Sequence, residues 1–153
     1  MSKEIATNRK APRDYHLLEK YEAGIELVGT EVKSIRAGKI NLSEAFARID
    51  RGQCFLWNCH IQPYEKASHT QHEPLRSRRL LLHKVEIMKL WASSQQKHLA
   101  IVPLRAYWKE GRVKIEIAVG KGKTKGDQRH DLKEKVENRE AQRTMARFNE
   151  RHK

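Results

Sequence analysis

Only two cysteines occur in 153 residues, and no apolar run approaches the roughly 20 residues that a membrane span needs. Cys54 and Cys59 lie five apart in a strand-like segment, which puts their side chains on opposite faces and argues against a local disulfide. They form no C-x-x-C pair, and no second pair exists to complete a zinc site, so buried, reduced thiols are expected. Residues 1–10 carry charges where a signal peptide needs its apolar stretch, so a cytoplasmic location and no membrane partner are expected. Hydrophobic residues are also scarce, 38% against 33% charged, which predicts a modest core together with segments that do not pack. The length suits one domain of the usual roughly 100–200 residues.

What the chain has in excess is positive charge. Lys and Arg number 32 against 19 Asp and Glu, a formal net charge of +13. Phosphate backbones attract such chains through Coulomb terms and counterion release, and bases stack on Arg or aromatic planes. The cations are spread along the sequence, at Arg9 and Lys10, Lys33 and Arg36, Arg76 to Arg79, and Lys121 to Lys125, so that several loops can converge on one folded nucleic acid.

Residues 1–14 have few apolar partners and read as a flexible basic arm, with order expected from Tyr15. Tyr15 to Val28 suits two short strands joined or bent at Gly24. Thr30 can cap a short helix with Glu31 in its first turn, Val32 and Ile35 facing inward, Arg36 in its last turn and Gly38 as its stop. Ala45 to Asp50 and Cys54 to Ile61 predict a hairpin around Arg51-Gly52-Gln53, with Phe46, Arg48 and Asp50 on one face. The polar stretch from Gln62 to Arg79 predicts a long surface loop. Leu80 to Ser94 has largely helical spacing and predicts the longest core helix.

Leu99 to Trp108 and Arg112 to Val119 form the clearest hairpin, with Val113, Ile115, Ile117 and Val119 alternating strictly around a Lys109-Glu110-Gly111 turn. The fold class predicted is mainly β, a small closed antiparallel barrel or barrel-like sheet over residues 15–120 with two or three short helices. The oligonucleotide-binding barrel is one candidate.

After Val119 the composition changes. Residues 120–153 hold eleven Lys or Arg against six Asp or Glu, and only Leu132, Val136, Met145 and Phe148 as large apolar residues. Residues 121–153 therefore read as a flexible basic tail, disordered alone and helical on binding, with Gly120 to Gly126 its most flexible part.

Catalytic and metal motifs fail on inspection. Gly122-Lys123-Thr124 looks like the end of a phosphate-binding loop, but the position that must be glycine, five residues earlier, is Ile117 within a strand. His69 and His72 lack a supporting Cys or carboxylate cluster and read as solvated loop histidines. No catalytic triad or dyad emerges, so neither enzymatic activity nor a metal or other cofactor is expected. A basic structural ribosomal or architectural protein that binds duplex nucleic acid through charge is the alternative class.

Particular strings then narrow the choice. Asn8-Arg9-Lys10-Ala11, Tyr21-Glu22-Ala23-Gly24-Ile25, the run from Gly29 through Gly38 with Asn41-Leu42, Ile61 with Pro63-Tyr64-Glu65, Pro74-Leu75-Arg76 with Leu80-Leu81-Leu82-His83-Lys84, and Gly120-Lys121-Gly122-Lys123 occur in this order. Together they resemble the SsrA-binding protein (small protein B) family of bacterial trans-translation. The resemblance implies a monomeric, non-enzymatic partner of transfer-messenger RNA. Its oligonucleotide-binding barrel would grip the tRNA-like domain and deliver the RNA to stalled ribosomes for peptide tagging. It further implies that Glu31, Lys33, Arg36 and Asn41 lie on the RNA-facing surface, joined by Asn8 and Lys10 from the arm, Arg76, Lys121 and Lys123. The tail of that family enters the empty messenger channel of the small ribosomal subunit near the decoding centre. Asp127, Gln128, Arg129, His130 and Lys133 match that region here. Gln128 and Gly126 depart from the family's usual Asp-Lys-Arg and preceding aromatic or His, which leaves His130 as the candidate stacking residue.

Overall fold

The fold is a computed structural model that describes residues 2–66, 71–96 and 98–123. The strictly alternating segment forms the long hairpin, β8 (Leu99–Lys109) and β9 (Arg112–Gly122), paired from Leu99↔Lys121 to Lys109↔Arg112. Glu110 (φ 53°) and Gly111 (φ 74°) are both left-handed, as a two-residue turn that follows the sheet twist requires, so Lys109 belongs to the strand. The same device closes the second hairpin. β4 (Phe46–Asp50) and β5 (Gln53–Trp57) meet at Arg51 (φ 49°) and Gly52 (φ 77°), with Gln53 already paired to Asp50.

Residues 15–25 make one strand, β2 (Tyr15–Ile25), where two were expected. A register shift against β9 between Leu17 and Lys20 switches the faces, which explains the irregular apolar spacing without a break in the strand. Gly24 serves close approach, since a Cβ there would lie 3.3 Å from the Cβ of Leu81 on β7 (Arg78–Leu81).

The expectation of a flexible arm over residues 1–14 is corrected. Residues 2–7 form β1 (Ser2–Thr7) against the far half of β8, and Lys10–Asp14 make the single-turn helix α1. Leu80 and Leu81, expected in a helix, pair in β7 with β5 and β2. The helix there, α3 (Lys84–Ser94), begins four residues later than expected. It buries Leu90 completely but leaves Val85, Met88 and Trp91 62%, 63% and 53% exposed, so it is half a core helix rather than a core helix.

The strands close into a ring, β8-β4-β5-β7-β2-β9 and back to β8, with every pairing antiparallel and the β4–β8 contact made at Ala47↔Ile101. This is the expected mainly β class, with three helices. Ala23, Leu56, Leu80, Ile101, Ile115 and Ile117 fill the core. Cys54 and Cys59 are free thiols, both fully buried in that core, and burial pushes each up to about 12. The opposite-face expectation fails because Asn58 (φ 58°) ends the strand alternation between them.

One compact unit spans residues 1–122, so the folded domain exceeds the expected 15–120 at both ends. Gly120 to Gly122, expected in a flexible run, complete β9, and a Cβ on Gly120 would meet the Tyr15 side chain at 2.9 Å. The remaining tail expectation concerns residues 124–153, which lie outside the described residues. Among the described residues no helix is long and apolar enough to cross a membrane.

Candidate nucleic-acid interface

The most cationic groove is built on α2 (Gly29–Arg36). The helix starts at Val28, not Thr30, because Glu31 reaches back to accept the Val28 N–H at 2.9 Å. It stops at Gly38 (φ 74°), as the sequence predicts. Glu31, Ser34 and Ile35 are buried on one face, and Lys33 and Arg36 are exposed on the other.

Glu31, expected on the RNA-facing surface, is fully buried and serves the framework instead. Its carboxylate accepts hydrogen bonds from the fully buried Arg78 and, at 2.6 Å, from Arg76 Nη2. Burial alone would raise its pKa, but the bonds from Arg76, the Val28 amide and Arg78 outweigh that effect and hold it below the ordinary glutamate value. Arg78 also donates to the carbonyls of Cys59 (2.6 Å) and Pro74 (3.2 Å), so one ion cluster ties α2, β7 and both ends of the polar loop together. His72 is buried and corrects the solvated-loop expectation. Its Nε2 donates to the Ile61 carbonyl at 2.8 Å, and its Nδ1 lies 2.9 Å from the Thr30 hydroxyl. His69 lies outside the described residues.

Over this frame the short strands β3 (Ile40–Asn41) and β6 (His60–Ile61) pair, and the Gln62 N–H donates to the Lys39 carbonyl at 3.0 Å. The segment after β6 is thereby laid beside α2, and the two wall a groove of about 670 Å³. Lys33 Nζ stands 5.4 Å from the Tyr64 ring centroid, and Arg36 Cζ stands 6.0 Å from that of Trp108. Lys39 and Lys66 add two further cations to the wall, against Glu65. Sequence reasoning found Lys33 and Arg36 but missed Lys39, Tyr64 and Lys66, because it is the β3–β6 pairing and the Gln62–Lys39 bond that bring the two segments together.

The other expected contacts are dispersed. Asn8 is buried: its amide donates to the Pro103 carbonyl (2.9 Å) and the Leu42 carbonyl (3.3 Å), and its Oδ1 accepts the amides of Lys10 and Ala11 that open α1. It is a staple of the fold, and the expectation of a surface contact is corrected. Lys10 is exposed and paired with Glu44. Asn41 is exposed and accepts the Ser43 amide at 2.9 Å. Lys121 is exposed on β9, and Lys123 ends the described chain. The tail residues Asp127, Gln128, Arg129, His130 and Lys133 lie outside the described residues.

A second groove, about 570 Å³, runs beside β2 and β7, with Arg79, His83, Lys84 and Lys114 in its wall. Glu22, also in that wall, accepts from the Tyr107 hydroxyl and from Lys109 (3.2 Å). The Tyr107 bond and Lys109 hold Glu22 low, while burial and the Glu22 carboxylate raise Tyr107 to about 12. Among the described residues no group of three or more His, Cys, Asp or Glu could hold a metal ion.

An antiparallel ring with exposed cations poised over aromatic rings defines a basic, polyanion-facing β domain. The SmpB protein family model matches residues 5–147. The chain is 52% identical to an SsrA-binding protein of Desulforudis audaxviator (strain MP104C), covering 95% of this chain and 92% of that protein. It is 49% identical to an SsrA-binding protein of Bacillus pumilus (strain SAFR-032), covering 94% of this chain and 92% of that one. A chain solved in "tmRNA-SmpB: a journey to the center of the bacterial ribosome" superposes with a TM-score of 0.67 at 44% identity, over 83% of this chain and 93% of the other. The protein belongs to the SmpB family.

Proposed function

We propose that this chain binds SsrA RNA, the transfer-messenger RNA, and delivers it to stalled ribosomes for trans-translation. The observation that carries the reading is identity of about one half to SsrA-binding proteins over nearly the whole chain. The geometry supplies suitable chemistry. Lys33, Arg36, Arg76, Lys10 and Lys121 can meet phosphates, and Asn41 can hydrogen-bond a base edge or ribose hydroxyl. Lys123 extends the same cationic set. Glu31 and Asn8 act one step back, by fixing Arg76 and the start of α1. Asp127, Gln128, Arg129, His130 and Lys133 are assigned to the empty messenger channel of the small subunit. The role is one of binding in the cytoplasm, with no bond chemistry by the chain itself.

Competition at fixed physiological salt tests this. Labelled SsrA RNA should be displaced by unlabelled SsrA RNA at far lower concentration than by duplex DNA, since charge alone discriminates poorly. Equal displacement by both would favour a charge-driven architectural protein and reject the proposal.

A further inference from the structure

We propose that the groove between α2 and the segment after β6 holds one unpaired RNA nucleotide, its base against the Tyr64 ring and its phosphate among Lys33, Arg36, Lys39 and Lys66. This rests on the RNA-binding reading above and names what that site takes. At about 670 Å³ the groove lies within the roughly 300–1,000 Å³ typical of small-ligand sites. That is ample for a nucleoside unit, far larger than an inorganic phosphate needs, and too small in volume to enclose a duplex segment.

The walls fit the two halves of a nucleotide. Four cations face a single carboxylate, Glu65, which leaves surplus positive charge for a phosphodiester. Tyr64 presents a half-buried ring whose backbone is held at two points by one side chain: its N–H donates to Gln71 Oε1 at 3.1 Å, and its carbonyl accepts from Gln71 Nε2 at 2.8 Å. A ring carried on backbone already held in place loses less freedom when a base stacks on it than one on a free loop. Ser34 lines the same groove. It is 2% exposed and its hydroxyl has no hydrogen-bond partner. A buried hydroxyl left unsatisfied is costly, and a ribose hydroxyl or phosphate oxygen entering the groove can satisfy it.

Stacking requires an exposed base face, which a base inside a helix does not offer, so the occupant is unpaired. Arg36 lines the groove and also stands beside Trp108, which does not line it, and Arg76, half-exposed at Glu31, is likewise off the lining, so cationic surface continues past the groove, as a polymer needs and a free nucleotide does not.

The test is a titration of the full-length chain into a single-stranded RNA pentamer carrying 2-aminopurine at its centre, at fixed salt. Binding should quench the fluorophore, and Tyr64→Phe should preserve both quenching and affinity. Tyr64→Leu, which keeps apolar bulk without a ring, should abolish quenching and weaken binding by about tenfold or more. Retention of quenching and affinity by Tyr64→Leu would overturn the assignment. So would displacement of the pentamer by AMP at an equal concentration, which would mark a metabolite site. SsrA RNA competition on the same variants separates the two readings. A chain that still prefers SsrA RNA while Tyr64→Leu quenches normally loses only the nucleotide site, whereas loss of that preference in the unmodified chain removes the function itself.

Discussion

Glu31 places a carboxylate out of reach of water, between a fully buried guanidinium and a half-exposed one. Such a pair gives weak net stabilisation compared with apolar packing, but removal of one partner strands a buried charge, at a cost of about 3–5 kcal/mol. Glu31→Gln should therefore lower stability in urea at pH 7 by about that amount, because Arg78 stays buried without its counter-ion. The pH dependence follows from the direction of the shift. A folded pKa below the ordinary 4.5 gives stabilisation that is present above 4.5 and is lost as pH falls through the folded value. The gap between wild type and Glu31→Gln should narrow in urea titrations as pH falls below the ordinary 4.5 and through the folded value, and a constant gap would show that Glu31 is not ionised in the fold. The sequence marks Glu31 as notable through its place in the first turn of a helix. It does not show that Arg76 and Arg78, 45 and 47 positions away, converge on the carboxylate from a neighbouring strand and loop. Gly120 is opaque to sequence for a similar reason: in a glycine-lysine run it reads as flexibility, yet the Tyr15 side chain lying over it leaves no room for a Cβ.

At the scale of elements, α3 buries Leu90, half-buries Ile87 and turns its other large apolar residues outward. Leu90 is fully buried, whereas Val85, Met88 and Trp91, spaced by three, lie more than half exposed along one edge. Leu90→Ala should cost about 2–5 kcal/mol from lost burial and the cavity left behind. The triple replacement of Val85, Met88 and Trp91 by Gln should change stability far less, since these side chains already meet water. Chemical denaturation of both variants checks the contrast, and equal losses would mean that the stripe packs. Strict alternation made the β8–β9 hairpin legible, and the Arg51-Gly52-Gln53 break between two strand-like runs made β4–β5 legible, although the turn itself is one residue shorter than expected. Helical periodicity overran into Leu80 and Leu81 because a run of leucines satisfies both periods, and only pairing to β5 and β2 makes it a strand. β1 was invisible for the converse reason. Its residues are unremarkable, and the strand exists because the far half of β8 offers a free edge. In the groove, Lys33 and Arg36 were legible as a basic pair and through the family resemblance, whereas Lys39 and Tyr64 line the same groove because the β3–β6 pairing and the Gln62–Lys39 backbone bond lay their segments together, which no local pattern announces.

The whole chain divides its charge unevenly, and that division sets what each part can contribute. Residues 126–153 hold eight Lys or Arg against six Asp or Glu, so all but two of the thirteen excess positive charges belong to residues 1–125. Counterion release scales with the number of phosphates neutralised, which assigns most of the salt-dependent RNA affinity to the ring domain. A chain ending at Lys125 should therefore bind SsrA RNA with nearly unchanged affinity, and the slope of log K against log salt should shift by less than about two. The same truncation should abolish tagging of peptides on stalled ribosomes, because the residues assigned to the messenger channel are gone. Filter binding across a salt series and a reconstituted tagging assay measure the two activities on one preparation. Parallel loss of both would mean that the tail grips the RNA itself. Intact tagging would mean that stalling is sensed from the ring domain, and either result would break the proposed separation between a part that holds the transcript and a part that reads the ribosome.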